Sequence, residues 1–178
     1  AGQPGGGDPV DVTDRHGHGT HVASIVAGDG DASGGRHKGV APAGRLIVAK
    51  ALGDDGSGSW SAVIEAMQWQ AATQHARIVS MSLGGDPTDG TDPVSEAVNT
   101  LTTQYGTLFV IAAGNSGADG AQTISAPGAA TAALTVGAVD SADKLATFSS
   151  RGPRLGDFAV KPEITAPGVQ TIAARAAG

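Results

Sequence analysis

The chain has 178 residues, 40% hydrophobic and 16% charged, which suits one folded domain with a core of its own and excludes a disordered segment. Its net charge of −6 and the lack of any Lys or Arg run disfavour nucleic acid binding, since no patch would neutralise phosphates. Cysteine is absent, which rules out disulfides and thiolate metal sites, and no apolar run approaches the roughly 18 residues that span a membrane.

Residues 1–7, rich in glycine and lacking a basic start or apolar core, read as a loop and not as a signal peptide. Three histidines follow in Asp14-Arg15-His16-Gly17-His18-Gly19-Thr20-His21, just ahead of Val22, Ile25 and Val26, which share one helical face. The histidines therefore sit at or near a helix N-terminus. That position disfavours imidazolium and leaves a neutral ring able to accept a proton, the state a general base needs.

Farther along, continuous apolar runs alternate with amphipathic segments. Leu46-Ile47-Val48-Ala49, Ile78-Val79 and residues 108–113 are unbroken, as expected of strands buried on both faces of a parallel sheet. Between the first two, Trp60, Val63, Ile64, Met67 and Ala71 mark a helix with Ser59 or Ser61 as its cap. Between the second and third, Val94, Ala97, Val98, Leu101 and Tyr105 mark another, entered through Asp92-Pro93. A fourth run covers residues 134–139. Strand and helix in alternation imply an open α/β sheet with helices on both faces, and no linker or repeat divides residues 1–178, so one domain is expected. In such sheets ligands bind beyond the carboxyl ends of strands. Ser82-Leu83-Gly84-Gly85 and Gly114-Asn115-Ser116-Gly117 occupy those places.

His18-Gly19-Thr20-His21-Val22-Ala23 resembles the catalytic-histidine motif of the subtilisin-like serine proteases. Met81-Ser82-Leu83-Gly84-Gly85 is similar to that family's substrate strand. Ala112-Ala113-Gly114-Asn115-Ser116-Gly117 resembles its oxyanion segment, and Asp55-Gly56-Ser57-Gly58-Ser59-Trp60 its second peptide-binding edge. Phe148-Ser149-Ser150-Arg151-Gly152-Pro153 and Ala166-Pro167-Gly168 match segments that lead to the catalytic serine. Six motifs in the family's order form a specific signal.

The resemblance implies an endopeptidase acting on polypeptides through an acyl-enzyme, with His18 as base and Asn115 as oxyanion donor. It implies Ser82, Leu83 and Gly84 on one side of the substrate and Gly56, Ser57 and Gly58 on the other. Leu52 and Trp60 would wall a more distant subsite, although a core place at the helix start suits Trp60 equally well. The resemblance further implies secretion, an N-terminal propeptide and structural calcium, with no cofactor for the chemistry. Asp29-Gly30-Asp31 is too short a run to match a particular calcium site.

The family order is Asp, His, Ser, with the aspartate roughly 30 residues ahead of the histidine. Asp8, Asp11 and Asp14 all lack the Ser/Thr-Gly that should follow it, and no Gly-Thr-Ser turn occurs anywhere. Both partners of His18 are thus expected outside this chain, which would be a middle piece of the catalytic domain, inactive alone. Two rivals stand beside this reading. One is a zinc hydrolase using His16, His18 and His21. The other is a degenerate domain without catalysis.

Overall fold

The computed structural model describes residues 11–176; the loop expected at residues 1–7 and Asp8 lie outside the described residues. The chain divides into two compact units, one running to Gln70 and including the stretch from Ile172, the other Ala71–Thr171.

In the first unit, α1 (His18–Ala27) begins after Gly17, which takes a left-handed φ of 93° that other residues adopt rarely. No residue of α1 is fully buried. Its C-terminal carbonyls find partners in the returning chain: Val40 N–H donates to Ile25 at 3.0 Å and Ala41 N–H to Val26 at 2.8 Å. The return requires glycine at position 39, where a Cβ would lie 2.6 Å from Gly28 N and 2.7 Å from Ala27 N. Helix α2 (Trp60–Gln68) is capped by Ser59, whose hydroxyl accepts from Ala62 N–H at 3.2 Å. It buries Val63 and Met67. Trp60 is 40% exposed, so the core alternative for it fails.

The strand expected at Leu46-Ile47-Val48-Ala49 does not form. Leu46 is 45% and Val48 56% exposed, and the Ile47 carbonyl accepts from the Gln70 side chain at 2.8 Å. Apolar sequence makes a segment compatible with a sheet, but a strand exists only where another backbone pairs with it.

The second unit holds a four-stranded sheet in the order β1 (Ile78–Met81), β2 (Leu108–Ala112), β3 (Leu134–Val139), β4 (Ile164–Pro167). Every pair is parallel, with Ile78 opposite Leu108, Val110 opposite Leu134 and Val136 opposite Ile164. The connection from β1 to β2 carries α3 (Pro93–Tyr105). Asp92 caps it by accepting from Ser95 N–H, Pro93 sits in its first turn, and Gly106 closes it at φ 68°. Val94, Val98 and Leu101 pack inward, and the core includes Phe109 (0% exposed) and Ile111 (1%). The expected apolar face is narrower than its spacing implied: Ala97 is half-buried and Tyr105, in the last turn, is 45% exposed. β4, which the sequence pattern missed, ends in Pro167, a residue a sheet accepts on an edge strand.

An ion pair just ahead of β4, with a buried lysine, is tied by hydrogen bonds to the start of β3. Lys161, whose side chain is 3% exposed, places Nζ 2.6 Å from Glu163 Oε1 and donates to the Ala133 carbonyl and Thr135 Oγ1. Burial pulls the Lys161 pKa down, while the Glu163 carboxylate opposes that shift. Glu163 Oε2 in turn accepts from Thr135 N–H at 2.7 Å. Among the described residues no helix is long and apolar enough to cross a membrane.

The sheet core sets the first test. Phe109→Ala should cost about 3–5 kcal/mol by the usual penalty for emptying a packed aromatic site. Chemical denaturation followed by circular dichroism would measure it; a loss below about 1 kcal/mol would contradict the packing of β2.

Candidate active site

The first unit supplies His18, the opening residue of α1, with its ring exposed. The turn that carries it is held by one carboxylate. Asp14 accepts from Gly17 N–H, from Thr20 N–H and from the Thr20 hydroxyl, each at 2.7 Å. These bonds satisfy donors at the helix start that Gly17, lacking a side chain, cannot reach. They also engage Asp14 with the turn itself. In the sequence Asp14 stands only as a triad candidate without its following Ser/Thr-Gly; the signal for this second role is a carboxylate three and six residues ahead of Gly17 and Thr20.

Around this turn, charge pairs fasten residues 11–15 to the next loop. Arg15 bridges Asp11 and Asp54, while Lys50 Nζ reaches Asp54 at 2.5 Å and the Thr13 carbonyl at 2.8 Å. That loop is closed by Gly53 N–H donating to the Ser57 carbonyl at 2.7 Å, and by Asp55, which accepts from both Ser57 N–H and its hydroxyl. Gly56 sits at its apex with φ 78°, and the Leu52 side chain packs on Gly58. Hence His18, Gly56, Ser57, Gly58, Leu52 and Trp60 all belong to one unit.

The second unit supplies the loops beyond β1 and β2. Ser82 and Gly84 are exposed and Leu83 is half-buried. Asn115 stands exposed two residues after Ala113, and Gly114 between them takes φ 113°. The two loops share a floor. A Cβ on Gly84 would come 2.8 Å from Ser125 Oγ, and one on Gly114 would come 2.5 Å from the same oxygen and 2.7 Å from Ser150 Oγ. Ser125 is 1% exposed and bonded to the Ala113 carbonyl through its N–H at 3.0 Å. Ser150 Oγ accepts from Ser116 N–H at 3.1 Å, fixing the turn after Asn115. Nothing in the sequence around Ser125 marked it, since it lies in a loop of small residues with no periodic pattern.

The three imidazoles do not assemble a metal site. Among the described residues no group of three or more His, Cys, Asp or Glu side chains is placed to hold a metal ion. His16 turns instead toward Gly56, its Nε2 2.7 Å from where a Cβ there would stand. Asp29, from the short run considered for calcium, accepts from Asp31 N–H at 3.0 Å.

A parallel α/β sheet with glycine turns beyond adjacent strands is an architecture that binds ligands past the carboxyl ends of its strands. Comparison with known proteins makes the assignment specific. Residues 3–177 match the subtilase family (peptidase S8), and the chain belongs to that family. It is 40% identical to Serine protease AprX of Bacillus subtilis, over 91% of this chain and 40% of that protein. It is 42% identical to Subtilisin DY of Bacillus licheniformis, over 88% of this chain and 53% of that one. With Pyrolysin of Pyrococcus furiosus the identity is 39%, over 93% of this chain but 16% of the relative. Among solved structures, Sphericase superposes with a TM-score of 0.81 at 36% identity, covering 98% of this chain and 60% of its own. The chain thus spans about half or less of the length of the curated relatives named here.

The Asp14 clamp has a pH signature. Bonds from Thr20 first and Gly17 next hold its carboxyl at about 2, below the ordinary 3.8. A folded value under the unfolded one means that the contribution is complete above about pH 4 and is lost as pH falls through about 2. In an NMR titration the Gly17 and Thr20 amides should move with a midpoint near 2; a midpoint at 3.8 would mean that the carboxylate does not hold the turn.

Proposed function

We propose that this chain carries the general base, one oxyanion donor and both peptide-binding edges of a serine endopeptidase. Family membership carries the reading, because it joins the His-Gly-Thr-His turn to the Ser-Leu-Gly and Gly-Asn segments in one reaction. His18 takes the proton from a serine hydroxyl as that oxygen attacks a peptide carbonyl, and later returns it to the leaving amine. The Asn115 side-chain amide donates to the oxygen on which negative charge develops. Extended polypeptide pairs through backbone groups with Ser82, Leu83 and Gly84 on one side and with Gly56, Ser57 and Gly58 on the other. Leu52 and Trp60 wall a subsite beyond Gly58, consistent with the packing of Leu52 on that glycine and the exposure of Trp60.

The two compact units act as parts of one catalytic domain in this reading. The triad aspartate and serine come from outside residues 1–178, since no Gly-Thr-Ser turn occurs in the sequence and Asp14 is bound to its own turn. The reaction needs no cofactor. The family reading also assigns the parent protein to the secreted proteases, made with a propeptide and stabilised by calcium.

Without its nucleophile the 178-residue chain should neither cleave peptides nor react covalently with a fluorophosphonate probe, because triad members act as a unit. A protein that adds both the triad aspartate and the Gly-Thr-Ser segment should do both, and Asn115→Ala in it should lower turnover about 10²–10³-fold. Stoichiometric labelling of the 178-residue chain, abolished by replacing one internal serine, would overturn the assignment. So would a complete protein that folds, binds peptide and never labels, which is the outcome a degenerate domain gives.

A further inference from the structure

The sequence contains four Asp-Gly pairs, at Asp29, Asp55, Asp89 and Asp119. Glycine has no side chain to shield its amide, so its nitrogen attacks a preceding aspartate more readily than that of any other residue. All four aspartates are exposed, and access to water does not rank them. Their carboxylates and their glycines do.

Three of the pairs are locked into Asx turns. Asp29 Oδ1 accepts from Asp31 N–H at 3.0 Å, Asp55 Oδ1 from Ser57 N–H at 2.9 Å, and Asp89 Oδ1 from Thr91 N–H at 3.0 Å. Each carboxylate is thereby engaged with the residue beyond the glycine. Bonds from the side chain and backbone of Ser57 hold the Asp55 carboxyl below its ordinary range, and those from Thr91 do the same for Asp89. Both stay ionised, and a carboxylate is a poor electrophile. The three glycines are crowded as well. A Cβ would come 2.8 Å from Lys38 Cγ at Gly30, 2.7 Å from His16 Nε2 at Gly56 and 2.6 Å from the Ala129 carbonyl oxygen at Gly90.

Asp119-Gly120 differs in both respects. Asp119 ends the short 3₁₀ turn Gly117–Asp119, and its carboxylate accepts no hydrogen bond among the described residues. A Cβ on Gly120 would meet nothing within 4 Å, and the Gly120 N–H is held by a long bond, 3.3 Å to the Gly117 carbonyl.

We propose that Asp119 is a modification site, where the chain isomerises spontaneously to isoaspartate. The Gly120 nitrogen attacks Cγ of the protonated Asp119 carboxyl. The N–Cγ bond forms, the Cγ–OH bond breaks, and the hydroxyl leaves with the amide proton as water. Water then reopens the five-membered imide. Breaking the N–Cγ bond restores aspartate, whereas breaking the bond from nitrogen to the Asp119 main-chain carbonyl carbon routes the chain through Cγ and frees an α-carboxylate. The backbone is then one carbon longer, in the same loop as Asn115. Gly117 N–H on the Phe148 carbonyl and Thr123 N–H on the Arg151 carbonyl, both at 2.9 Å, bracket the change, so residues 117–123 absorb it.

The test holds the chain at neutral pH and physiological temperature, folded or in urea. Samples taken over time are denatured and digested with an endoproteinase that cuts ahead of aspartate and not ahead of isoaspartate. In the folded chain the cut at Asp119 should be lost at least about fivefold faster than those at Asp29, Asp55 and Asp89, the factor a single hydrogen bond supplies. In urea, where those bonds are gone, the four rates should agree within about twofold. Asp119→Asn should reach the same imide with loss of ammonia, read as a mass increase at that residue. Equal loss at the four aspartates of the folded chain, or faster loss at any of the other three, would overturn the proposal. So would a lead for Asp119 that persists undiminished in urea, or an Asp119→Asn chain that gains no mass.

Discussion

The second unit turns on the backbone N–H and carbonyl of Ala113. Its N–H donates to the Val136 carbonyl and its carbonyl accepts from Ser125 N–H, at 2.9 and 3.0 Å, so one residue extends β2 toward β3 while tying down the pocket floor. Ala113 is 2% exposed, which leaves its polar groups no water to turn to and makes both bonds obligatory. The loop beyond β2 can then leave in one direction only. Gly114 turns through φ 113°, Asn115 emerges, and Ser116 is caught by Ser150. The exposure of Asn115 is thus a product of what is buried just before it.

The first unit reaches a similar result by other means. No strand holds the His18 turn; a carboxylate does, accepting from two backbone N–H groups that glycine leaves uncapped and from the Thr20 hydroxyl. Charge pairs from Arg15 and Lys50 add orientation at the surface, where such pairs contribute little stability. Geometry here is set by hydrogen bonds to fixed donors. Packing sets it around Ser125, where a glycine on each side lets two backbones approach a single hydroxyl.

Local features were the most legible in the sequence. The β2 and β3 runs, the Asp92-Pro93 entry to α3 and the Ser59 cap all depend on neighbours within a few residues, and each was readable from spacing. Features that need a distant partner were not. Leu46-Ile47-Val48-Ala49 has the composition of a strand and no ladder among the described residues, whereas Ile164–Pro167 has a proline and yet pairs with β3. The family motifs pointed to His18 and Asn115 because motifs record side chains. They could not point to Asp14 or Ser125, whose importance lies in what they touch: backbone amides and a carbonyl.

The buried Lys161 has a consequence for chemical footprinting. Acylating reagents modify lysines at the rate their amines meet solvent, and the Lys161 amine is enclosed by the Ala133 carbonyl, Thr135 and Glu163. Acylation at this position therefore records the moments when β4 separates from β3, while Lys50, with a side chain 22% exposed, is more open to the reagent without such a separation. One residue thus doubles as a clock for the opening of the sheet edge, read by mass, with no label added to the protein.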